Sequence, residues 1–454
     1  MLANAAPGSK VPSTRSLVST FQVSPVTVQR ALQTLASEGL VEAHPGIGTF
    51  VRDVNRAKPS DFGWQTAALG TPRVKTAPTA TAMRMADNDA IAMHVGYPDP
   101  ELLPVRLVRA AIARTSRSAS AVSRPPSSGL PELQSWFAHE LAENTLPGFN
   151  PPSPSDVIVI PGSQSGLGSV FRSLASPGQA IIMESPTYWG AIAAAEQAGL
   201  RIIPIPSGST APNIVDLERA FVESGARLFY AQPNFANPTG AQWTHAEADA
   251  ILDVVRAHNA FLIEDDWAHD FGIDAVAAPV AGRDDSGHVI YIRSLTKSIS
   301  PSIRVAGMIA RGPARDRILV DRTIEAMYVS SVLQSAALDI LQQPGWRTHV
   351  NALRHRLRER RDLLARSLQE FAPQARLTSL PLGGLNLWVQ LDDSVDTTAL
   401  TNRCQMRGLF IAPGNEWFPA EAPGAFLRLN YSGPRANSFV DGAKILGEEL
   451  SRPL

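Results

Sequence analysis

Tyr291-Ile292-Arg293-Ser294-Leu295-Thr296-Lys297-Ser298-Ile299-Ser300, followed downstream by Arg304, decides how the rest of the chain is read. Residues 289–292 are a short apolar run of the kind a buried strand gives, and the chain then turns polar, with one lysine among hydroxyls. A lysine is ordinarily a solvated surface residue. Just past a buried strand, Lys297 loses hydration, which favours the neutral amine that a Schiff-base lysine requires. Arg304, Ser294 and Thr296 offer a cation and two hydroxyls able to hold the phosphate of an aldehyde cofactor.

Upstream and downstream of this stretch, short apolar runs alternate with amphipathic segments. Residues 157–160, 180–183, 228–230, 261–263, 289–292 and 306–310 read as buried strands, with helices such as 244–257 between them. That alternation predicts an α/β fold with a mainly parallel sheet covered on both faces and ligands at the carboxyl ends of its strands. The polar signals fall at those ends. Pro161-Gly162-Ser163-Gln164-Ser165-Gly166 opens a helix whose amides can cradle a phosphate. Glu184-Ser185-Pro186-Thr187-Tyr188 follows the next strand and offers a flat ring. Gln232-Pro233-Asn234-Phe235-Ala236-Asn237-Pro238-Thr239-Gly240 and Glu264-Asp265-Asp266-Trp267 follow the third and fourth.

Asn237-Pro238-Thr239-Gly240, combined with Ser294-Leu295-Thr296-Lys297 and Arg304, resembles the fold-type I, class I/II aminotransferases over roughly residues 91–454. The resemblance implies pyridoxal 5'-phosphate joined to Lys297, with Asp265 opposite the ring nitrogen and Asp266 as a weaker alternative. It also implies Asn237 at the phenolic oxygen, Tyr188 stacked on the ring, and Gly162, Ser163, Gln164, Ser294, Thr296 and Arg304 around the phosphate. Trp267 stands where the related pattern has a tyrosine, and indole donates only from its ring N–H. Arg428, in Phe426-Leu427-Arg428-Leu429-Asn430, stands where such enzymes clamp a substrate carboxylate. A small α+β domain is expected over about 350–454 plus the segment near 91–125, with Gly383-Gly384 leading into its strand at 385–391.

The amino end is a different module. Residues 24–39 form a well-marked helix: Ser24 caps it, Pro25 suits its first position and Gly39 its exit. Val28, Ala31, Leu32, Leu35 and Ala36 share one face. A shorter helix at 13–21 precedes the turn Gln22-Val23, and two strands flank Pro45-Gly46-Ile47-Gly48, giving a winged helix-turn-helix. Val11-Pro12-Ser13-Thr14-Arg15, Val23-Ser24, Thr27-Val28, Glu38-Gly39-Leu40 and Gly46-Ile47-Gly48-Thr49-Phe50-Val51 resemble the GntR-type winged helix. By that resemblance Arg15, Ser24, Thr27, Gln29 and Arg30 face DNA, and the wing around Gly46 approaches the minor groove. The family has a further helix before the Pro7-Gly8 position, where only residues 1–6 stand here. Part of the helical apolar face is therefore expected to be uncovered: either the start lies upstream or the module is marginal.

Residues 1–53 are thus expected to form the DNA-binding domain, 54–90 a linker rich in Pro, Ala, Thr and Ser, and 91–454 the cofactor-binding domain. The two together resemble the MocR-like transcriptional regulators. That resemblance implies a homodimer that binds an operator and senses an amino compound or the vitamin through its aminotransferase-like domain. An active aminotransferase with a decayed DNA-binding module is the competing reading. A lyase or decarboxylase using the same cofactor fits Lys297 and Asp265 equally well.

Composition agrees with a globular multidomain chain. In 454 residues, 44% are hydrophobic and 18% charged, with a formal net charge of -1, so no global bias toward nucleic acid or membrane exists. Residues 1–58 hold six Lys/Arg and three Asp/Glu, a local positive excess suited to phosphate contact. Cys404, the single cysteine, rules out an intrachain disulfide and a cysteine metal cluster, and no metal is expected. With no signal peptide and no apolar stretch of about 18 residues, a cytoplasmic protein without a membrane span is expected.

Overall fold

The computed structural model describes residues 6–52, 62–69, 81–87, 89–433 and 435–452. Cα proximity separates two compact units, residues 1–72 and 73–454.

In the first unit, helix Thr14–Phe21 starts at Ser13, whose hydroxyl accepts from the Ser16 amide. Helix Pro25–Ser37 starts at Ser24, whose hydroxyl accepts from the Thr27 amide at 3.2 Å. Gly39, at φ 70, takes the chain out into an antiparallel hairpin, Val41–His44 with Gly48–Val51, turning through Gly46 at φ 77. Val11, Leu17, Val28 and Val41 make the small core, with Val18, Leu32, Leu35 and Val51 half-buried against it. Ala31 and Ala36, expected on the packed face, are exposed. Among the described residues, Val11, Leu17, Phe21, Val23, Val28, Ala31, Leu32 and Leu35 line an apolar groove. Within the stretch read as linker, residues 63–69 form helix Gly63–Leu69, and Thr81–Met83 is a 3-10 turn with Thr81 and Ala82 buried. Pro59, Gly70, Pro72 and Pro78 lie outside the described residues.

The second unit is built on a seven-stranded sheet. Its order is Val157–Ile160, Ala306–Ile309, Val289–Ser294, Phe261–Asp266, Leu228–Ala231, Ala180–Ser185, Arg201–Pro206. Only Ala306–Ile309 runs antiparallel to its neighbours. Arg201–Pro206 is a strand that periodicity overlooks: Pro204 and Pro206 cannot donate to a ladder and confine it to the edge it occupies. Two apolar layers cover the sheet faces, one containing Phe137, Phe229 and Leu262, the other Phe171, Tyr230 and Ile263. Successive residues of one strand thus serve opposite layers.

The smaller lobe is an antiparallel sheet, ordered Arg376–Leu377, Asn386–Gln390, Phe426–Asn430, Ala412–Pro413. Its core includes residues of the 28-residue helix Pro344–Phe371 and of helix Phe439–Leu450. These two helices meet where Gly447 lies against the carbonyl of Phe371; a Cβ built on Gly447 would stand 1.8 Å from that oxygen. Gly447→Ala must therefore push one helix off the other, and overpacking of this kind costs about 1–3 kcal/mol. A thermal melt should show a lowered midpoint for the variant; an unchanged midpoint would mean the helices separate freely.

Candidate functional site

The carboxyl ends of the parallel strands converge on one cavity lined by Tyr97, Ser163, Gln164, Tyr188, Gln232, Asn237, Asp265, Trp267, Ser294, Thr296, Lys297 and Arg304. Ten of these come from the motifs singled out at strand ends. Strand Val289–Ser294 delivers Ser294 and, one turn later, Lys297; Phe261–Asp266 delivers Asp265; Leu228–Ala231 leads to Gln232 and Asn237. Gly162 caps helix Ser163–Leu174 at φ 90. A Cβ on it would come within 2.9 Å of Arg304 Nη2 and 3.5 Å of Thr296 Oγ1, so a side chain there would intrude on the cradle between them.

Alternation along one strand separates the acids. Asp265 Oδ2 accepts from Tyr230 Oη at 2.9 Å and Gln232 Nε2 at 2.8 Å, while Oδ1 has no partner. Burial pushes the Asp265 carboxyl up, against those two hydrogen bonds and the nearby Lys297 ammonium. Asp266 faces elsewhere: Oδ2 is 2.7 Å from His269 Nδ1 and accepts from Tyr291 Oη at 2.7 Å. Burial raises the Asp266 carboxyl, but His269, Tyr291 and Arg293 together outweigh it and the net displacement is downward. Asp266 does not line the cavity, which removes it as the alternative to Asp265. Glu264 likewise turns away, accepting from the amides of Val280 and Ala281.

The Lys297 amine lies 4.7 Å from the centre of the Trp267 ring and 5.9 Å from that of Tyr97. An indole face is a cation-holding surface, so the tryptophan that replaces a phenol meets the lysine through its ring. Its Nε1 is buried without a partner. Burial brings the Lys297 amine down to about 8; Asp265 opposes this, and Arg428 and Arg304 add to it. Neutral amine therefore becomes the majority form above about pH 8, rather than near 10.4 as for an ordinary lysine. The rate of condensation with added pyridoxal, followed by absorbance, should rise about tenfold per pH unit below that point and level off above it. A rate still climbing at pH 10 would mean that the amine is solvated. Between about 8 and 10.5 the unfolded chain binds more protons at this group, so its contribution to stability rises with pH there.

Arg428 is buried behind Asn237. Its Nη1 donates to Asn237 Oδ1 at 3.5 Å, its Nη2 donates to the His94 carbonyl, and its guanidinium lies 4.6 Å from the Trp417 ring centre. Its Nε has no partner. Burial lowers its pKa to about 10, against the field of Glu416. Tyr97 and Gln232 were not foreseen as lining residues. Gln232 stood first in the quoted strand-end run, and Tyr97 lies near the start of the expected cofactor-binding domain.

Arg15, Ser24, Thr27, Gln29, Arg30 and Gly46 are all exposed in the first unit. The Ser24 and Thr27 hydroxyls are 2.8 Å apart, and Ser24 also caps the helix, so their first task is to hold its amino end.

Residues 92–438 match the family model for aminotransferase class I and II, and residues 2–51 match that for bacterial regulatory proteins of the gntR family. An uncharacterized HTH-type transcriptional regulator of Bacillus subtilis, YdfD, is 27% identical over 97% of this chain and 91% of its own length. The probable rhizopine catabolism regulatory protein MocR of Rhizobium meliloti is 24% identical over 96% of this chain and 88% of its own. Among solved structures, the α-aminoadipate aminotransferase LysN of Thermus thermophilus, complexed with N-(5'-phosphopyridoxyl)-L-leucine, superposes with a TM-score of 0.76 at 24% identity, covering 85% of this chain and 98% of that one. With a gntR-type module ahead of a matching aminotransferase domain, the chain belongs to the aminotransferase class I and II family and is similar over nearly its whole length to the regulator MocR.

Proposed function

We propose that the protein is a transcriptional regulator whose aminotransferase-like domain holds pyridoxal 5'-phosphate on Lys297 and senses an amino compound. The observation that carries the reading is the set of unpaired polar atoms around one lysine: Ser163 Oγ, Thr296 Oγ1 and Asp265 Oδ1. Two hydroxyls beside Arg304 and the start of a 12-residue helix fit a phosphate, and a carboxylate oxygen with no partner fits a protonated ring nitrogen. Pyridoxal phosphate supplies an aldehyde that condenses with amines and a ring that withdraws electrons.

The chain's own groups do the rest. Tyr230 and Gln232 hold Asp265 so that its free oxygen faces the cavity, and a cation there favours the carboxylate over the acid. Tyr188 offers the ring face and Asn237 the side-chain amide. Arg428 would receive a ligand carboxylate, and the free Lys297 side chain, once protonated, would rest against the Trp267 ring. In the first unit, Arg30, Gln29 and Arg15 present donors to phosphates and base edges, and Gly46 lets the wing tip turn. A dimer pairs two such heads on an operator of matching symmetry, and DNA as partner makes the cytoplasm its place of work. Release of amino compound as oxo acid at turnover rates would instead support an aminotransferase; the exposed recognition residues favour the regulator.

The test is an electrophoretic shift of promoter fragments by the cofactor-loaded protein, with and without amino acids and simple amines. The regulator reading expects a shift that one class of amine strengthens or weakens. Arg30→Ala should weaken all fragments alike and lower the salt dependence by about one phosphate contact. Failure to shift any fragment at low salt would defeat it.

A further inference from the structure

The second unit closes on its first described residues in a specific way. The Thr81 amide donates to both oxygens of Glu416, at 3.1 and 3.0 Å, and the Thr81 hydroxyl donates to Glu416 Oε1 at 2.5 Å. Three residues on, the Arg84 carbonyl is 3.0 Å from His94 Nε2. Ala82, between them, is buried with Trp388, Ala412, Trp417 and Phe418. The turn is thus clasped at both ends.

Both holders border Arg428. His94 gives it a carbonyl, and Glu416 adjoins Trp417, over whose ring the guanidinium lies. The Trp417 carbonyl in turn accepts from the Thr187 amide at 2.8 Å, next to Tyr188 in the cavity wall. Arg428 takes part in no ion pair among the described residues, and Glu416 is the carboxylate whose field it feels. A buried cation in that state has room for one more anion, and an anion placed there repels the one already nearby.

We infer that Glu416 is a positioning residue that couples the carboxylate site at Arg428 to the clasp on Thr81–Arg84, the first described residues of this unit after the stretch read as linker. This rests on the proposed reading of the cavity and extends it to regulation. A ligand carboxylate on Arg428 competes with Glu416 for its charge and loosens the hold on Thr81. By linkage, the closed clasp weakens carboxylate binding by the same factor.

The experiment uses the full chain loaded with pyridoxal phosphate and two probes that differ only by a carboxylate, glycine and methylamine. Absorbance reports whether each reaches the cofactor, and hydrogen–deuterium exchange reports the amides of peptides spanning 81–93. Glycine is expected to speed exchange there about fivefold or more, and methylamine to leave it unchanged. Glu416→Gln should exchange fast from the outset and favour glycine over methylamine about fivefold more than the parent does. Thr81→Val, which keeps the Glu416 charge, should raise basal exchange and leave the preference between the two amines closer to that of the parent. Equal exchange with both amines, or a Glu416→Gln change that moves both affinities alike, overturns the clasp while an absorbance response preserves the cavity reading. No absorbance response to either amine overturns both.

Discussion

Lys297→Ala protein, incubated with pyridoxal phosphate and dialysed, should show no visible cofactor absorbance, while its circular dichroism and melting midpoint stay close to those of the parent. Among the described residues Lys297 is the only lysine lining the cavity, so no second amine among them can replace it. The substitution removes an amine that burial already drives toward neutrality, so little favourable charge interaction is lost. The effect on stability is expected within about 1 kcal/mol. The functional effect is all-or-none: DNA binding persists, and the response of the shift to amines disappears. Retained absorbance in the variant would mean that another group carries the aldehyde.

Arg428→Ala should weaken amines that bear a carboxylate by about 2–5 kcal/mol, the usual cost of stripping one partner from a buried charge pair. Methylamine and the cofactor itself should bind nearly as before, since neither brings a carboxylate to Arg428, which the Asn237 side chain contacts at 3.5 Å. The variant also leaves the His94 carbonyl without its donor, which loosens the segment beside strand Phe426–Asn430. Arg428→Lys separates the two consequences, because it keeps a charge and loses the planar fork. An absorbance titration reads each affinity. Equal losses for glycine and methylamine would remove Arg428 from carboxylate binding.

Much of the cavity was legible because strand-end residues in an α/β sheet face one crevice, and local motifs mark those ends. Asp265 and Asp266 show where pattern stops short. Either acid could be named from the run, and only the pleat decides that Asp265 faces Lys297 while Asp266 meets His269 and Tyr291. Strand Arg201–Pro206 escaped because its prolines break the usual strand signature while its edge place tolerates them. The clasp at Thr81 could not be read at all: its partner Glu416 lies 335 residues away, and each residue sits in a 3-10 turn too short to leave a periodic signal. Tyr97 enters the cavity through a segment with almost no regular structure, so no periodicity pointed to it. The winged helix was the easier part, since capping serine, first-position proline and exit glycine are local signals that the folded helix obeys.

All of this depends on one covalent bond. Protein saturated with pyridoxal phosphate, reduced with borohydride, digested and examined by mass spectrometry should carry the phosphopyridoxyl group on the peptide containing Lys297, and Asp265→Ala should bind the cofactor more weakly at that same residue. A label confined to other lysines, or no label at all, would contradict the account.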